Sequence, residues 1–312
     1  IKSAVKFFFK KFFENFKKAI DFSVLMCYYT TTIKFGGKHY EKIIAITLAV
    51  LMAAMTFIFA GCGDKKTATD SDLEYVKNNG KLVIGITDFD PMDYKDANGE
   101  WIGFDADLAR KVCEKLGVTA EFKVITWGQK ENELNTKSID AIWNGMTITD
   151  AIKNVADVSG AYMTNYQVVV VKDAKYTTVE SLAGQTIVAE QGSAGESAIQ
   201  ANATLSKSYK PVESQSDALL HVQSGQAAAC VIDYVMAGSM LVEGKTYSNL
   251  SIMKDVKLGD DESYGIAFRK GSDIVAAVNT AISELVADGT VKTIAEKYGL
   301  QDSIVTDFQA TK

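Results

Sequence analysis

The side chains that most often carry catalysis are scarce in this chain of 312 residues. It contains only two histidines, His39 and His221, and no G-x-S-x-G, P-loop or His-Glu-x-x-His pattern. None of its cysteines forms a C-x-x-C pair, so neither a zinc site nor a thioredoxin-like motif is indicated. Acid–base catalysis by Asp or Glu is not excluded, but the sequence singles out no pair of carboxylates. We therefore expect no metal and no cofactor, and a protein that binds rather than catalyses.

Polar residues at the ends of predicted strands and the starts of predicted helices could instead bind a small molecule. A carboxylate on such a molecule would need hydrogen-bond donors, and an ammonium group would need an acceptor. Ser193 and Ala194 open a predicted helix, whose free N–H groups and dipole favour an anion. Ser193 could serve as an N-cap as well. Asp233 follows an apolar strand and could accept from the ammonium group, or it could merely cap the next helix.

Two further kinds of residue could shape a binding pocket. Gly145 would let the backbone approach a ligand closely, or it could simply serve a turn. Thr147 offers a hydroxyl group, which could also cap the following helix. Phe89, Trp127 and Trp143 could supply aromatic walls with cation–π attraction. An aromatic residue beside a strand is most often part of the core, and for Trp143 the two interpretations are balanced.

A scaffold of alternating strands and helices is predicted to position these residues. The predicted strands are residues 81–87, 122–125, 139–143, 166–171, 186–189, 228–232 and 264–269, and Asn98-Gly99 indicates a hairpin. The predicted helices are 105–116, 127–136, 178–182, one starting at Ser193, 217–224, 234–241, 272–288 and 291–298. This alternation predicts an α/β architecture with largely parallel sheets. In such folds ligands lie beyond the carboxyl ends of the strands, beside helix N-termini.

Four segments point to a family when they are taken together. They are GFDADLA at 103–109, DAIWNGMTIT at 140–149, QGSAGE at 191–196 and YGIAFRKG at 264–271. In this order and spacing, from about Leu73 to the end, the chain resembles the family-3 bacterial solute-binding proteins, the polar amino-acid receptors of ABC importers. The resemblance implies a type II periplasmic-binding-protein-like fold, with two α/β lobes joined by two crossover strands near 165–168 and 264–267.

The resemblance also implies where the lobes and the ligand lie. Lobe 1 would comprise residues 73–165 and 266–312, and lobe 2 residues 166–265. The ligand would lie in the cleft between them, and for Asp233 the resemblance favours contact over capping. The expected ligand-binding residues are Phe89, Trp127, Trp143, Asn144, Gly145, Met146, Thr147, Ser193, Ala194 and Asp233.

One position departs from the family. Three residues after the last Thr of the Thr-Ile-Thr motif, relatives usually carry an arginine that grips the carboxylate of the ligand. Here that position is Ile152, followed by Lys153. An apolar side chain cannot replace a guanidinium fork, and lysine is only a point charge. Either backbone N–H groups alone hold the carboxylate, or the ligand lacks an ordinary amino-acid head group.

The N-terminal region is typical of an export signal. An uncharged apolar run over residues 43–60 follows a basic flank and stops before Gly61 and Cys62. This junction resembles a bacterial lipobox, with Phe59 where leucine is usual, and predicts a lipidated Cys62, a tether over residues 62–72 and an extracytoplasmic, lipid-anchored protein. The alternative is an uncleaved membrane-spanning anchor. Lipidation is favoured because the run does not end on a basic stop-transfer cluster.

The segment before this signal is unusual. Residues 7–13 are basic and aromatic, which is typical of an amphipathic membrane helix, but translated upstream DNA or a frameshifted gene start is the preferred interpretation. Residues 1–61, this upstream segment and the signal peptide, are therefore left out of the fold prediction. The remaining cysteines, Cys113 and Cys230, are predicted to be small buried hydrophobic residues, with a pairing between them left open.

Composition limits the partners of the chain. A hydrophobic fraction of 47% and a charged fraction of 23% are those of a globular protein. The net charge of −6, with acidic and basic residues interleaved, argues against a nucleic-acid partner. We expect a monomer that binds an amino-acid-like molecule, contacts ABC permease subunits and reaches the membrane through Cys62. The family leaves two alternatives, a ligand-sensing receptor domain and a dehydratase-like enzyme; the absence of a second membrane span or kinase segment before Lys312 favours the binding protein.

Overall fold

The computed structural model describes residues 71–310. The predicted signal, the lipidated Cys62 and the tether up to residue 70 therefore lie outside the described residues. The described part begins at Ser71, whose Oγ accepts a hydrogen bond from Glu74 N–H at 2.9 Å and caps the first helix. The last residue of the predicted tether, Asp72, is the first residue of that helix.

Helices and strands alternate through the described residues. The helices are α1 (Asp72–Asn79), α2 (Phe104–Leu116), α3 (Lys130–Asn135), α4 (Asp150–Val155), α5 (Ala194–Ala201), α6 (Gln215–Ser224), α7 (Tyr234–Met240), α8 (Ile274–Ala287) and α9 (Thr290–Tyr298). The strands are β1 (Lys81–Ile86), β2 (Tyr94–Lys95), β3 (Trp101–Ile102), β4 (Thr119–Val124), β5 (Ala141–Thr147), β6 (Ala156–Val158), β7 (Met163–Val171), β8 (Ile187–Glu190), β9 (Tyr209–Val212), β10 (Ala229–Asp233) and β11 (Ser251–Arg269). The predicted hairpin at Asn98-Gly99 joins β2 to β3.

Two groups of parallel strands are joined by two antiparallel ones. β1 pairs in parallel with β4 and β5, and β8 pairs in parallel with β9 and β10. Between these groups β7 and β11 run antiparallel to each other, β11 beside β5 and β7 beside β10. We term β1, β4 and β5 with α1–α4, α8 and α9 the first lobe, and β8–β10 with α5–α7 the second lobe. The predicted fold, two α/β lobes joined by two crossover strands, is confirmed.

The two crossover strands explain the main difference from the sequence prediction. The parallel pairing that was predicted holds within each lobe, whereas β7 and β11 are antiparallel to their neighbours. The strand predicted at 264–269 is only the end of β11, which starts at Ser251. Only the last six residues of β11 are buried without interruption, and the earlier part carries polar side chains that face solvent. Apolar patterning therefore marks the buried end of this strand alone.

Short and polar elements were not predicted. Helices α1 and α4 and strands β6 and β9 are absent from the sequence prediction. β9 lies at the edge of the sheet and contains Pro211, which removes a backbone donor and favours an edge position. Helix α6 begins at Gln215, two residues before the predicted start, because Ser214 Oγ caps it by accepting from Asp217 N–H at 3.0 Å.

The two C-terminal helices belong to the first lobe. α8 packs on α2 and α1, and Gly289 between α8 and α9 has a φ of 82°, which turns the chain between them. Within residues 71–310 no single helix has the length and apolar character needed to cross a membrane, and α8 and α9 satisfy that test only as a pair bent by 77°. Cys113 and Cys230 are buried and free, as the prediction of small buried hydrophobic residues required.

Candidate functional site

A cavity lies between the lobes, beyond the carboxyl ends of β5, β8 and β10. Both lobes contribute to its wall. The lining residues are Phe89, Trp127, Lys130, Glu131, Asn144, Gly145, Met146, Thr147, Thr149, Ala151, Ile152, Glu190, Gly192, Ser193, Ala194, Ser197, Gln215 and Asp233. Every predicted ligand-binding residue except Trp143 is among them. The structure therefore brings together residues that are up to 144 positions apart, from Phe89 to Asp233.

Trp143 lies elsewhere. Its side chain is fully buried in the main hydrophobic core, which also contains Phe104 and Tyr162. Trp143 is not among the residues that line the cavity, although the next four residues of β5 all are. An aromatic wall at Trp143 is therefore wrong for this structure, and the core alternative describes this residue. Phe89 and Trp127 do line the cavity.

Gly145 has a geometry that other residues adopt with difficulty. Its φ is +57°, and a Cβ added there would lie 2.7 Å from Phe89 Cε1 and 3.2 Å from Tyr264 Cε2. Its N–H donates to Asp105 Oδ2 at 2.7 Å, so the backbone is fixed from behind. The close approach that the structure shows at this glycine is to two aromatic rings, of which Phe89 lines the cavity and Tyr264 belongs to the core. Neighbouring Asn144 is equally fixed, since its Nδ2 donates to Thr87 Oγ1 at 2.8 Å.

The hydroxyl group of Thr147 does not cap a helix. It donates to Glu262 Oε2 at 3.1 Å, across the boundary between β5 and β11. Thr149 instead caps α4, because its Oγ1 accepts from Ile152 N–H at 3.2 Å. The capping alternative that the sequence left open for Thr147 is therefore wrong. Thr147 therefore lines the cavity with its side chain fixed by the hydrogen bond to Glu262.

Ser193 and Ala194 open α5, as predicted, but their N–H groups are not equivalent. Ser193 Oγ accepts from Glu196 N–H at 3.0 Å and so caps the helix. The N–H of Ser193 donates to the carbonyl oxygen of Glu190 at 3.2 Å, so the prediction that it is free is wrong. The Ser193 hydroxyl proton and the N–H of Ala194 remain to meet an anion at the positive end of the helix dipole.

Asp233 does not cap the helix that follows it. Its side chain makes no capping hydrogen bond to α7 and turns instead towards three carboxamides. Oδ1 accepts from Asn165 Nδ2 and, at 2.8 Å, from Gln167 Nε2; Oδ2 accepts from Gln215 Nε2. Burial raises the pKa of Asp233 to about 6, and the charge of nearby Glu262 adds to this effect. Amide donors thus hold this carboxylate at the wall of the cavity.

Glu262 of β11 shares these amides. Its Oε2 accepts from Asn165 Nδ2 and from Gln167 Nε2, both at 3.0 Å. Two carboxylates therefore compete for the same donors beside the crossover strands.

Nowhere in residues 71–310 does a group of three or more histidine, cysteine, aspartate or glutamate side chains form a site that could hold a metal ion.

Lys130 was not foreseen as a site residue. It lies at the first position of α3, is buried, and its Nζ donates to the carbonyl oxygen of Gly192 at 2.8 Å. The same Nζ lies 4.8 Å from the ring centroid of Trp127, within the range of a cation–π contact. This lysine thereby joins the first lobe to the second. Beside it the backbones touch, since a Cβ added to Gly192 would lie 2.9 Å from Gly128 Cα.

Glu190 was also missed. It is the last residue of β8, its side chain is buried, and its Oε1 has no hydrogen-bond partner among the described residues. Burial raises the pKa of Glu190 to about 8; the charge of Asp233 raises it further, and that of Lys130 opposes the shift. A signal was present in the sequence, because a charged residue ends an apolar strand directly before the QGSAGE segment.

The position at which relatives usually carry an arginine is apolar in this structure. Ile152 lines the cavity and is buried, so no guanidinium group enters at that point. Lys153 is exposed, with its Nζ 3.8 Å from Asp150 Oδ1, and it is not part of the cavity wall. Lys130 is the one cationic side chain among the described residues that line the cavity.

Comparisons with known proteins point to one family. A sequence model of the family "Bacterial extracellular solute-binding proteins, family 3" matches residues 82–301. The glutamine-binding protein GlnH of Bacillus subtilis is 30% identical over 277 residues, which cover 84% of this chain and 98% of that protein. The arginine-binding protein ArtP of the same organism is 26% identical, over 80% of this chain and 96% of its own. A substrate-binding protein of a Streptococcus pneumoniae ABC uptake transporter, solved with bound histidine, has a TM-score of 0.69 at 30% identity, covering 74% of this chain and 97% of that one.

Proposed function

Because this chain belongs to family 3 of the bacterial extracellular solute-binding proteins, we propose that it is the substrate-binding lipoprotein of an ABC importer and binds an amino acid between its lobes. The prediction of a binding protein rather than an enzyme is confirmed by the family match and by relatives that are named for binding. One observation carries the proposal: predicted contact residues from both lobes line one cavity.

The cavity offers complementary groups for the two charges of an amino acid. Asp233, fixed by three amides, accepts from the ammonium group. The hydroxyl group of Ser193 and the N–H of Ala194 donate to the carboxylate, which takes the place of an arginine fork. Phe89 and Trp127 pack against the aliphatic part of the ligand. Asn144, Gly145, Met146 and Thr147 complete the wall on the side of the first lobe.

Binding is coupled to closure of the lobes. The proposed boundaries, 73–165 with 266–312 and 166–265, fall inside β7 and β11, so the hinge lies in the two crossover strands. Contacts between the lobes support a closed form: besides Lys130 and Gly192, Asp90 accepts from Ser239 Oγ at 2.7 Å and from Lys245 Nζ at 3.1 Å. A ligand that contacts both lobes favours this form over an open one.

A bound amino acid should therefore stabilise and compact the protein. At a ligand concentration a hundredfold above Kd, the free energy of unfolding should rise by about 2.7 kcal/mol. The measurement is a thermal-shift screen of the purified protein against an amino-acid library, followed by small-angle scattering with each ligand that binds. Identical scattering profiles with and without a saturating ligand would contradict closure, and a screen in which no amino acid stabilises the protein would contradict the proposed function.

The lipid anchor is a separate part of the proposal. An apolar run over residues 43–60 that ends at Gly61 and Cys62 supports diacylation of Cys62. Cys62→Ser should move the protein from the membrane fraction to the soluble extracytoplasmic fraction. Fractionation and immunoblotting measure this, with Cys113→Ser as the matched control that stays in the membrane. A Cys62→Ser chain that lacks the acyl group and remains in the membrane would indicate a spanning anchor instead.

A further inference from the structure

We propose that the cavity selects a basic amino acid, with Glu190 binding the positively charged end of the ligand's side chain. This inference rests on the proposed function and adds the class of substrate. It starts from a side chain that the proposed contacts leave unused. Glu190 is 3% exposed, lines the cavity, and forms no hydrogen bond through Oε1 to any described residue.

Glu190 and Asp233 lie at the same edge of the second lobe. They end β8 and β10, which are adjacent parallel strands with Ile187 opposite Ala229 and Val188 opposite Cys230. Their carboxylates therefore border the same cavity from neighbouring strands. They differ in their partners. Asp233 receives three amide donors, whereas Glu190 receives none at Oε1 from the described residues.

The charges of the cavity wall favour a ligand with net positive charge. Glu131, Glu190 and Asp233 line the cavity together with one cation, Lys130. Lys130 is already engaged, because its Nζ donates to Gly192 O at 2.8 Å and lies 3.3 Å from Glu131 Oε1. A ligand that is a simple zwitterion would give its ammonium group to Asp233 and leave Glu190 without a counter-charge. A buried carboxylate without donors is strongly unfavourable, so Glu190 stays mostly protonated in the empty cavity, and a cationic ligand is the occupant that would stabilise its ionised form.

The ionisation of Glu190 provides a second measurable consequence. The charged groups that act on it are Asp233 on β10, Asp217 on α6 and Lys130 on α3, of which only the lysine favours ionisation. Burial, with these neighbours, raises the pKa of Glu190 to about 8 in the cavity without ligand. A cation bound beside it lowers that pKa, so binding releases protons near pH 7. Affinity for a basic ligand should therefore rise as the pH increases from 6 to 8.

Calorimetry with three probes tests the proposal, namely L-arginine, L-lysine and the neutral L-glutamine. The wild-type protein should bind a basic amino acid more tightly than glutamine. Glu190→Gln should weaken the binding of that basic ligand about thirtyfold or more, while glutamine binding changes little. Glu213→Gln, which removes the same charge from an exposed position outside the cavity, is the matched control and should bind like the wild type.

Proton release gives a readout that does not depend on a variant. Titrations of the wild-type protein at pH 7 in two buffers of different ionisation enthalpy should show release of protons with the basic ligand and less with glutamine. Preference for glutamine or another neutral amino acid overturns this inference and leaves the proposed function intact, as does basic-ligand affinity unchanged in a folded Glu190→Gln protein. Failure of every amino acid to bind overturns the proposed function and this inference with it.

Discussion

Replacing Asp233 by alanine should weaken amino-acid binding by about 2–5 kcal/mol, which is well over tenfold. The carboxylate is buried and held by Asn165, Gln167 and Gln215, so under the proposed function it would meet the ligand's ammonium group without first having to be ordered. Its loss leaves a desolvated cation facing amide donors, which repel it. Isothermal titration calorimetry of the wild type and of Asp233→Ala with the same amino acid measures the difference.

The crossover strands offer a matched control for this variant. Glu262 shares the donors Asn165 and Gln167 with Asp233, but it does not line the cavity. Glu262→Ala therefore removes an acceptor from the same network and releases the hydroxyl group of Thr147, but it leaves the carboxylate of Asp233 in place, so it should affect binding much less than Asp233→Ala. Equal losses in the two variants would mean that the network, and not contact with the ammonium group, determines affinity. Wild-type affinity in Asp233→Ala, for a ligand that carries an amine, would contradict the assignment.

Replacing Gly145 by alanine should lower the free energy of unfolding by about 2–5 kcal/mol. Two costs combine at this position. The φ of +57° strains any residue with a Cβ, and that Cβ would lie 2.7 Å from Phe89 Cε1, in a wall with little room to move. Because Phe89 also lines the cavity, ligand affinity should fall together with stability. Urea unfolding followed by fluorescence measures the first effect, and calorimetry measures the second.

Replacing Gly225 by alanine is a control that separates backbone strain from steric crowding. It ends α6 with a φ of +78°, and a Cβ added there would meet no atom within 4 Å. Gly225→Ala should therefore show only the backbone strain, about 1–2 kcal/mol, and leave ligand affinity unchanged. If Gly145→Ala were no more destabilising than Gly225→Ala, the close approach to Phe89 would carry no energetic weight.

The sequence predicted the scaffold better than the cavity. Buried strands such as 166–171 and helices that end at glycine, such as 105–116 before Gly117, carry their signal in local patterning, and the structure has both elements. β11 was underestimated because the apolar residues of its first part, such as Met253 and Leu258, are separated by charged residues, so that only its end forms a continuous buried run. The arrangement of the strands into two lobes came from the family resemblance, since pattern alone does not specify which strands become antiparallel neighbours.

Within the candidate site, the residues that were missed share a physical cause. Lys130 and Glu190 are charged residues next to apolar segments, where sequence reasoning expects side chains that reach solvent. Both are buried in the folded structure, and Lys130 forms a hydrogen bond to Gly192, which is 62 positions away along the chain. The prediction of a free N–H group at Ser193 was wrong for a local reason, because this N–H donates a hydrogen bond to the carbonyl oxygen of Glu190 within a turn. Such hydrogen bonds depend on the exact backbone path, which residue type does not determine.

The contact between Gly128 and Gly192 limits how far the lobes can approach. Backbone meets backbone there, with no side chain on either residue to compress or rotate, so the proposed closure would end against a rigid stop. The cavity would then have a fixed depth. A molecule that is too long would hold the lobes apart and lose the hydrogen bond from Lys130 to Gly192, whereas a shorter one would be enclosed without pulling them further together. Under the proposed function, the two glycines would limit the length of the ligand independently of its charge.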